Sequence, residues 1–471
     1  MLKFLFFDNW GYETVEGFAR ELQRPAKDPR NPLLTPDRPW EFGNITLYGS
    51  VIKAPGRPYQ LWYSVIEPRW FIHLAYAESE DGIHWLKPEL DIFPFEGHRT
   101  NIVLSANVHG PAIIYDQADP RPDWAYKMLC GADPTSHVYA YHSADGIHWL
   151  RASEEPVIAT NPDCPMALLR RPYWVARPYR DGRPGGVYAA HHRIPGGGRR
   201  IGRSESEDFI HWHGGRLVLE PGPGDPPQFQ MYGMGAAPYG DYELGTLWDY
   251  TTDPQDTGRG KMCGCQETEF TYSRSGFAWH RPMPCQPFIP HGREGTWESG
   301  NLQAASAPLF LDDEIRYYYA ASDVRHSHRW ELNPGSFGIG MASTQPDRFI
   351  ALVAGDDPGT ITTRVFQIQT PEMRVNADIA AGGYVQIELL DADCRPIPGF
   401  ERGSSTIRPR CPPLGGDALD HPVRWQGNPD PSPLLNRWIR WRLRATRARV
   451  YSVWMPDGDP LPRYDRFRSA F

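Results

Sequence analysis

Apolar and polar residues alternate through most of this chain in short runs, and the runs fall into sets. "ITLYGSVI", "YQLWYSV" and "FIHLAYAES" follow one another between residues 45 and 79, each with the two-residue period of a strand. A Ser-x-Asp-Gly turn comes next, and "IHWLK" then begins a fourth strand. The set recurs as "PAIIYD", "WAYKMLC", "HVYAYHS" and "IHWL", then as "MALLR", "GVYAAHH", "RRIGRSES" and "FIHWH". A fourth set reads "MYGMGAAPY", "ELGTLWDY", "ETEFTYS" and "FAWH", and a fifth "LQAASAPLFL", "IRYYYAAS" and "SFGIGMAS".

The phrase that closes each set gives the period. "ESEDGIHW" ends at Trp85, "HSADGIHW" at Trp149 and "SESEDFIHW" at Trp212, while "SRSGFAWH" carries Trp279 and a weaker echo, "ASTQPDRF", ends at Phe349. The spacings are 64, 63, 67 and 70 residues. A period of that length marks a repeat architecture. One four-stranded meander cannot bury both its faces alone, and stacking copies around an axis solves the problem. The pattern therefore predicts an all-β protein with a five-bladed β-propeller over residues 40–356. The Asp-Gly pairs should turn each third strand into its fourth, and the tryptophans should pack between neighbouring blades.

Beyond residue 357 the phrase is lost. "YVQIELLDADCRPI", "RWIRWRLRA" and "ARVYSVWM" still alternate, which predicts a C-terminal β-sandwich over 357–471. Within it Ile439, Trp441 and Leu443 share one strand face and Arg440, Arg442 and Arg444 the other, a basic stripe expected to be a solvated face. Residues 1–39, with "RPAKDPRNPLLTPDRPW", are Pro-rich and predict an extended segment leading into the first blade.

Composition narrows the function. A formal charge of −8 does not suit a nucleic-acid binder. No apolar run has signal-peptide or membrane-spanning length, so a soluble cytoplasmic protein without membrane association is expected. Seven scattered cysteines form no disulfide framework, and "CGC" at 263–265 lacks the partner cluster zinc would need, so no metal and no cofactor is expected.

In a propeller the first strand of each blade lines the central channel, and the residues just before it converge on one mouth. Those positions hold Glu41, His109, Asp163, Gln228 with Gln230, and Glu298. Clustered carboxyls shift one another's pKa values, and paired carboxyls are what glycoside hydrolysis needs. Asp163, Glu298 and Glu41 are accordingly the expected catalytic residues. Asp163 would be the proton donor and Glu298 or Glu41 the nucleophile or base. Asp249, Glu267 and Glu269 on blade four lie within reach of the rim, with Glu267 and Glu269 on one strand face. Trp40, Trp174, Trp248, Trp297 and Trp330 stand beside mouth positions, where aromatic faces stack on sugar rings. "DVRHSHRW" adds Asp323, His326 and His328, read as contacts to substrate hydroxyls rather than to a metal.

The "SxDGIHW" repeats and "IELLDADCRPI" give the chain a resemblance to the invertase and levanase clan, glycoside hydrolase family 32, and to its arabinanase and xylosidase relatives. That resemblance implies a glycosidase of propeller-plus-sandwich form acting on a carbohydrate, with furanosides among the substrates it points to. It also implies that Asp163, in "DCP", stands where the family has the Glu-Cys-Pro acid/base. The family's Asn-Asp-Pro-Asn-Gly motif is absent from blade one, where Glu41 is the nearest acid. Its Arg-Asp-Pro is absent from blade two, where His109 takes the mouth position and Asp116 lies further along the strand. Two alternatives stay open. A sialidase shares the Asp-box form of the repeated phrase but needs six blades and three clamping arginines. A non-catalytic carbohydrate-binding propeller needs none of the acids.

Overall fold

A computed structural model describes residues 2–133, 135, 137–159, 165–171, 188–194, 198–252, 263–326, 336–370, 372–401, 416–425 and 432–456. They form two compact units: residues 25–344, and residues 1–24 together with 345–471. No helix among the described residues is long and apolar enough to cross a membrane.

The first unit is the propeller. Five four-stranded units follow one another among its described residues, with inner strands Ile45–Lys53, His109–Tyr115, Pro165–Arg170, Phe229–Tyr239 and Asn301–Ala304. These first strands neighbour one another in a ring. The Ile113 N–H donates to Ser50 Oγ at 2.9 Å, the Ala236 N–H to the Ser306 carbonyl at 2.8 Å, and the Ser306 N–H to the Gly49 carbonyl at 2.8 Å. Blades four and five touch edge to edge through one parallel pair, Gln266 with Asn301, which joins their ladders into one hydrogen-bonded sheet.

Two fourth strands differ from expectation. In blade one "IHWLK" supplies only the Glu78–Leu86 bridge, and the fourth strand is Ile102–Ser105, reached after a small hairpin of Leu90–Phe95 and His98–Thr100. In blade five the phrase at Phe349 closes nothing, because residues from 345 on belong to the other unit. Its fourth strand is Ala26–Lys27, paired with Ala342 and Ser343, so the ring is latched by a segment from before blade one. The unit boundaries therefore fall at 24/25 and 344/345, where sequence patterning had placed them at 39/40 and 356/357. The first 39 residues are not simply extended, since Leu2–Leu5, Tyr12–Glu16 and Ala19–Leu22 are strands of the second unit.

The repeated phrase has a double physical cause. In the first copy Ser79 Oγ accepts the Gly82 N–H, and Asp81 Oδ1 accepts the N–H groups of Ile83 and His84. The glycine sits at φ +76°, and the equivalent Gly146 and Gly276 at +80° and +76°. Space demands glycine too: a Cβ on Gly146 would lie 2.6 Å from the Trp62 ring of blade one, and one on Gly276 2.7 Å from the Arg203 guanidinium of blade three. The third copy has Phe209 there at φ +74°, its ring filling the space between Trp124 and Tyr188. Each tryptophan of the phrase packs on the preceding blade. Trp85 meets Tyr318, Trp149 meets Trp62, Trp279 meets His191, and Trp212 joins the cluster between blades two and three. Trp149 and Trp279 are buried, whereas Trp85 and Trp212 are half-buried.

The second unit is built on Trp438–Met455, which pairs with Leu2–Leu5, Ile350–Ala354, Gly359–Thr363, Phe366–Gln367 and Arg374–Asp391. Ile439, Trp441 and Leu443 from its first half and Val450, Val453 and Met455 from its second enter one apolar core. One curled, hydrogen-bonded sheet thus lines this core. Of the basic stripe, Arg440 meets Glu13 at 3.3 Å and Arg442 meets Glu388 at 3.1 Å.

Candidate functional site

Two of the three expected catalytic acids are staples. Glu41 is fully buried: Lys87 Nζ stands 2.7 Å from Oε1, the Tyr63 hydroxyl donates to Oε1 at 2.7 Å, and the Asp37 and Arg38 N–H groups donate to Oε2. Glu298 repeats the pattern, with Lys27 Nζ at 2.8 Å and the Tyr319 hydroxyl at 2.7 Å. Blade four has a variant in which Arg281 pairs with both Asp225 and Glu269. In each case an acid in the segment entering a first strand is held by a cation near the outer edge of the same blade. A buried carboxylate needs such partners, because its desolvation is otherwise prohibitive. Glu41 and Glu298 are thus each paired with a lysine and a tyrosine hydroxyl of their own blade. Asp163 lies outside the described residues, as do Trp174, His328 and Trp330.

Other expected contacts also have partners within the blades. Asp116 is buried with Lys127 at 3.0 Å, Arg170 at 2.6 Å and the Tyr188 hydroxyl at 2.5 Å, between blades two and three. Trp40 is buried and donates to Asn101 Oδ1. Trp297 stacks on Tyr319, 6.2 Å between centroids. Asp323 accepts the Ser336 N–H and fixes the base of its loop.

The remaining expected residues gather at one end of the ring. Trp248, near the end of the second strand of blade four, lies between Tyr48 of blade one, 5.3 Å away and stacked, and Tyr232 of blade four at 6.3 Å. The Tyr48 hydroxyl donates to that of Tyr232 at 3.3 Å and accepts from Gln303 Nε2 at 3.1 Å. His109 leans on Tyr48 at 5.7 Å. His326 contacts the hydroxyls of Tyr232 at 2.9 Å and Tyr250 at 3.3 Å. Arg193 and Arg199 lie over the Tyr232 ring, at 4.1 and 5.0 Å, and Arg199 donates to Gln230 Oε1. Among the described residues no group of three or more His, Cys, Asp and Glu side chains is arranged to hold a metal ion.

Asp249 sits beside this cluster on the opposite strand face, because side chains alternate along Tyr242–Thr252. That face carries Glu243, which pairs with Arg203 of blade three, so Asp249 is turned toward blade three. Glu267 lies directly across from it and donates its N–H to Asp249 Oδ1 at 3.0 Å. Burial first, and then the Glu269 and Glu267 carboxylates, push the Asp249 carboxyl up to about 7; the N–H of Glu267 and the charge of Arg281 oppose the rise. Glu267 in turn accepts the His291 N–H at 3.0 Å and has the His291 ring 3.2 Å away. Glu269 is held by Arg281 at 2.7 and 2.8 Å. A half-buried acid that keeps its proton near neutrality, next to a second acid that is hydrogen-bonded from the other side, is equipped for proton donation.

Tyr48, Tyr232, Gln303 and Arg193 were not anticipated. Tyr48, Tyr232 and Gln303 lie three, three and two residues inside their first strands, whereas the sequence reading looked just ahead of those strands. The signal available was the shared register of the three positions.

No family model matches the chain, and no curated protein matches it. Solved structures do. A glycosyl hydrolase from Bacteroides ovatus has 15% sequence identity and a TM-score of 0.46 over 73% of this chain and 96% of its own. A β-1,2-mannobiose phosphorylase from Listeria innocua, in complex with β-1,2-mannobiose, has 12% identity and a TM-score of 0.42 over 69% and 97%. A member of the GH130 family of mannoside phosphorylases and glycoside hydrolases has 15% identity and a TM-score of 0.44 over 72% and 96%.

Proposed function

We propose that this protein cleaves a glycosidic bond, with Asp249 as the proton donor and Glu267 as its partner carboxylate. The observation that carries this is the Asp249 carboxyl, raised to about 7 beside two other acids at the end of the ring where the aromatic cluster gathers. Protonated at neutral pH, it can give its proton to a departing glycosidic oxygen, while an ionised neighbour stabilises the developing oxocarbenium ion or activates the attacking group. Asp249 is proposed as the proton donor in addition to the expectation for Asp163, which lies outside the described residues. Asp163, just ahead of the first strand of blade three, remains a candidate second carboxylate, since Asp249 is turned toward that blade. His109 and His326, half-buried beside this cluster, are the proposed substrate contacts, with the buried Trp248 packed behind them, and a relation to the invertase clan is part of the proposal.

The test is a panel of aryl furanosides and pyranosides of both anomers, assayed with and without inorganic phosphate. Asp249→Asn should lower kcat by about a thousandfold, because general acid catalysis contributes 10²–10⁴-fold. Glu267→Gln should lower it comparably, with little change in KM. Retention of most activity by Asp249→Asn overturns the assignment. A wild type that binds sugars and cleaves none supports the binding-propeller alternative.

A further inference from the structure

Blade one carries a side-chain constellation that the glycosidic reading does not use. Val65, His73 and Ser105 stand opposite one another in its second, third and fourth strands, so they share one face. Glu67 lies two residues beyond Val65, in the turn that leads to the third strand. His73 Nδ1 is 3.0 Å from Ser105 Oγ, and His73 Nε2 is 2.8 Å from the Glu67 carboxylate. All three residues are half-buried, so each keeps part of its surface in solvent.

The direction of these bonds follows from the chemistry of the neutral ring. An ionised carboxylate only accepts, so Nε2 carries the imidazole proton and donates it to Glu67. Nδ1 is then a bare lone pair, and the Ser105 hydroxyl donates to it. Acid, base and hydroxyl in that order make a serine nucleophilic. Phe71 packs edge-on against the imidazole at 5.1 Å and restrains it. Holding the turn does not need these side chains, because other bonds already fix it. The Glu67 N–H donates to the Phe71 carbonyl at 2.9 Å, the Val108 N–H to the Ile72 carbonyl at 2.9 Å, and the Ile72 N–H to Asn107 Oδ1 at 3.3 Å.

The segment after Ser105 supplies what the three side chains lack. It leaves the strand through Asn107 at φ +51°, and the Ala106 carbonyl accepts the Asp133 N–H at 3.1 Å. Among the described residues the N–H groups of Ala106 and Asn107 meet no acceptor. Backbone N–H groups directly after a nucleophile are well placed to stabilise an oxyanion.

We propose that Ser105, His73 and Glu67 form a second catalytic site, a serine esterase that removes a short acyl group such as acetyl from an alcohol. Ser105 Oγ attacks the ester carbonyl as its proton passes to His73 Nδ1, and the oxyanion is met by the Ala106 and Asn107 N–H groups. The bond from carbonyl carbon to alkoxy oxygen then breaks, the alcohol leaves with the proton from Nδ1, and an acyl-serine remains. Water attacks that ester and gives its proton to Nδ1. The serine oxygen takes the proton back as the carboxylic acid departs. Glu67 is a positioning residue that keeps the ring proton on Nε2 and steadies the imidazolium formed in each half. The site lies on blade one and Asp249 on blade four, so it does not depend on the glycosidic reading.

The experiment has two readouts on the purified full chain. A fluorophosphonate, which modifies activated serines, should label wild type at Ser105, located by peptide mass spectrometry. p-Nitrophenyl acetate should be hydrolysed faster than the decanoate. Ser105→Ala should lose the label, and Ser105→Ala and His73→Gln should each lower kcat by about a thousandfold. Glu67→Gln should lower kcat with KM near wild type, a split that a merely structural role would not give. His84→Ala, which removes an exposed histidine held by Asp81, should match wild type in both readouts. An unlabelled Ser105 in wild type, or hydrolysis that Ser105→Ala retains, overturns the site and leaves the Asp249 assignment untouched. If Ser105→Ala does not fold, the labelling of wild type decides alone.

Discussion

Asp249 illustrates how much of this protein's chemistry is set by the surroundings of single residues. Its carboxyl ionises near 7 in the folded chain, well above its ordinary range, because burial and two neighbouring carboxylates disfavour the charged form. A group whose folded pKa is raised adds stability that is fully present below its unfolded pKa and lost as pH climbs through the folded one. Asp249→Asn should therefore melt close to wild type at about pH 4, gain a growing advantage as pH rises toward about 7, and hold that advantage above it. Thermal melts across that range check it, and a pH-independent difference contradicts it. Asp249 and Glu267 were visible in the sequence as acids near the rim. The cause of the shift was not, because it depends on Glu269 standing on the same face with its charge only partly offset by Arg281.

The element that organises this molecule is the blade, and each blade solves the same problem of fixing its outer edge. Three do so with a buried acid ahead of the first strand and a cation near the outer edge. Glu41→Gln should then lower stability by about 3 kcal/mol, since it leaves Lys87 buried without its charge partner. Urea unfolding measures it, and any catalytic effect should be no larger than the loss of folded protein. The inner three strands of each blade were legible because apolar faces recur at every second residue. The fourth strands were not. Leu150–Arg151 and Trp279–His280 are two residues long, too short to show a period, and blade five borrows its own from far away in the chain. The acids are hard to sort for a related reason: a carboxylate that staples a blade and one proposed to meet a substrate look alike in sequence. Only their partners, Lys87 and Tyr63 in one case and Glu267 in the other, tell them apart.

At the scale of the whole molecule the decisive contact is the latch of Ala26–Lys27 on Phe337–Thr344. Lys27 also neutralises Glu298, so Lys27→Ala should weaken both the strand pairing and the staple, by about 2 kcal/mol given its partial exposure. Amide hydrogen exchange should quicken first along Ala342 and Ser343. Unchanged protection there would show that the ring does not depend on the latch. Fold class was readable from the period of the repeated phrase, whereas the latch was not, because two residues of an apparently extended segment carry no pattern.

The latch also sets an order in time. Lys27 pairs with Ala342, 315 residues later, so during synthesis this early strand must wait for the last blade. The second unit waits longer, because Leu2–Leu5 meets partners as late as Met455. Along the sequence the propeller is one continuous stretch, with the two segments of the second unit before and after it. Contacts this distant in sequence are slow to form and leave strand edges open meanwhile. A nascent chain halted between residues 300 and 344 therefore holds four blades and an unlatched fifth, with the edge of Phe337–Thr344 still to be covered.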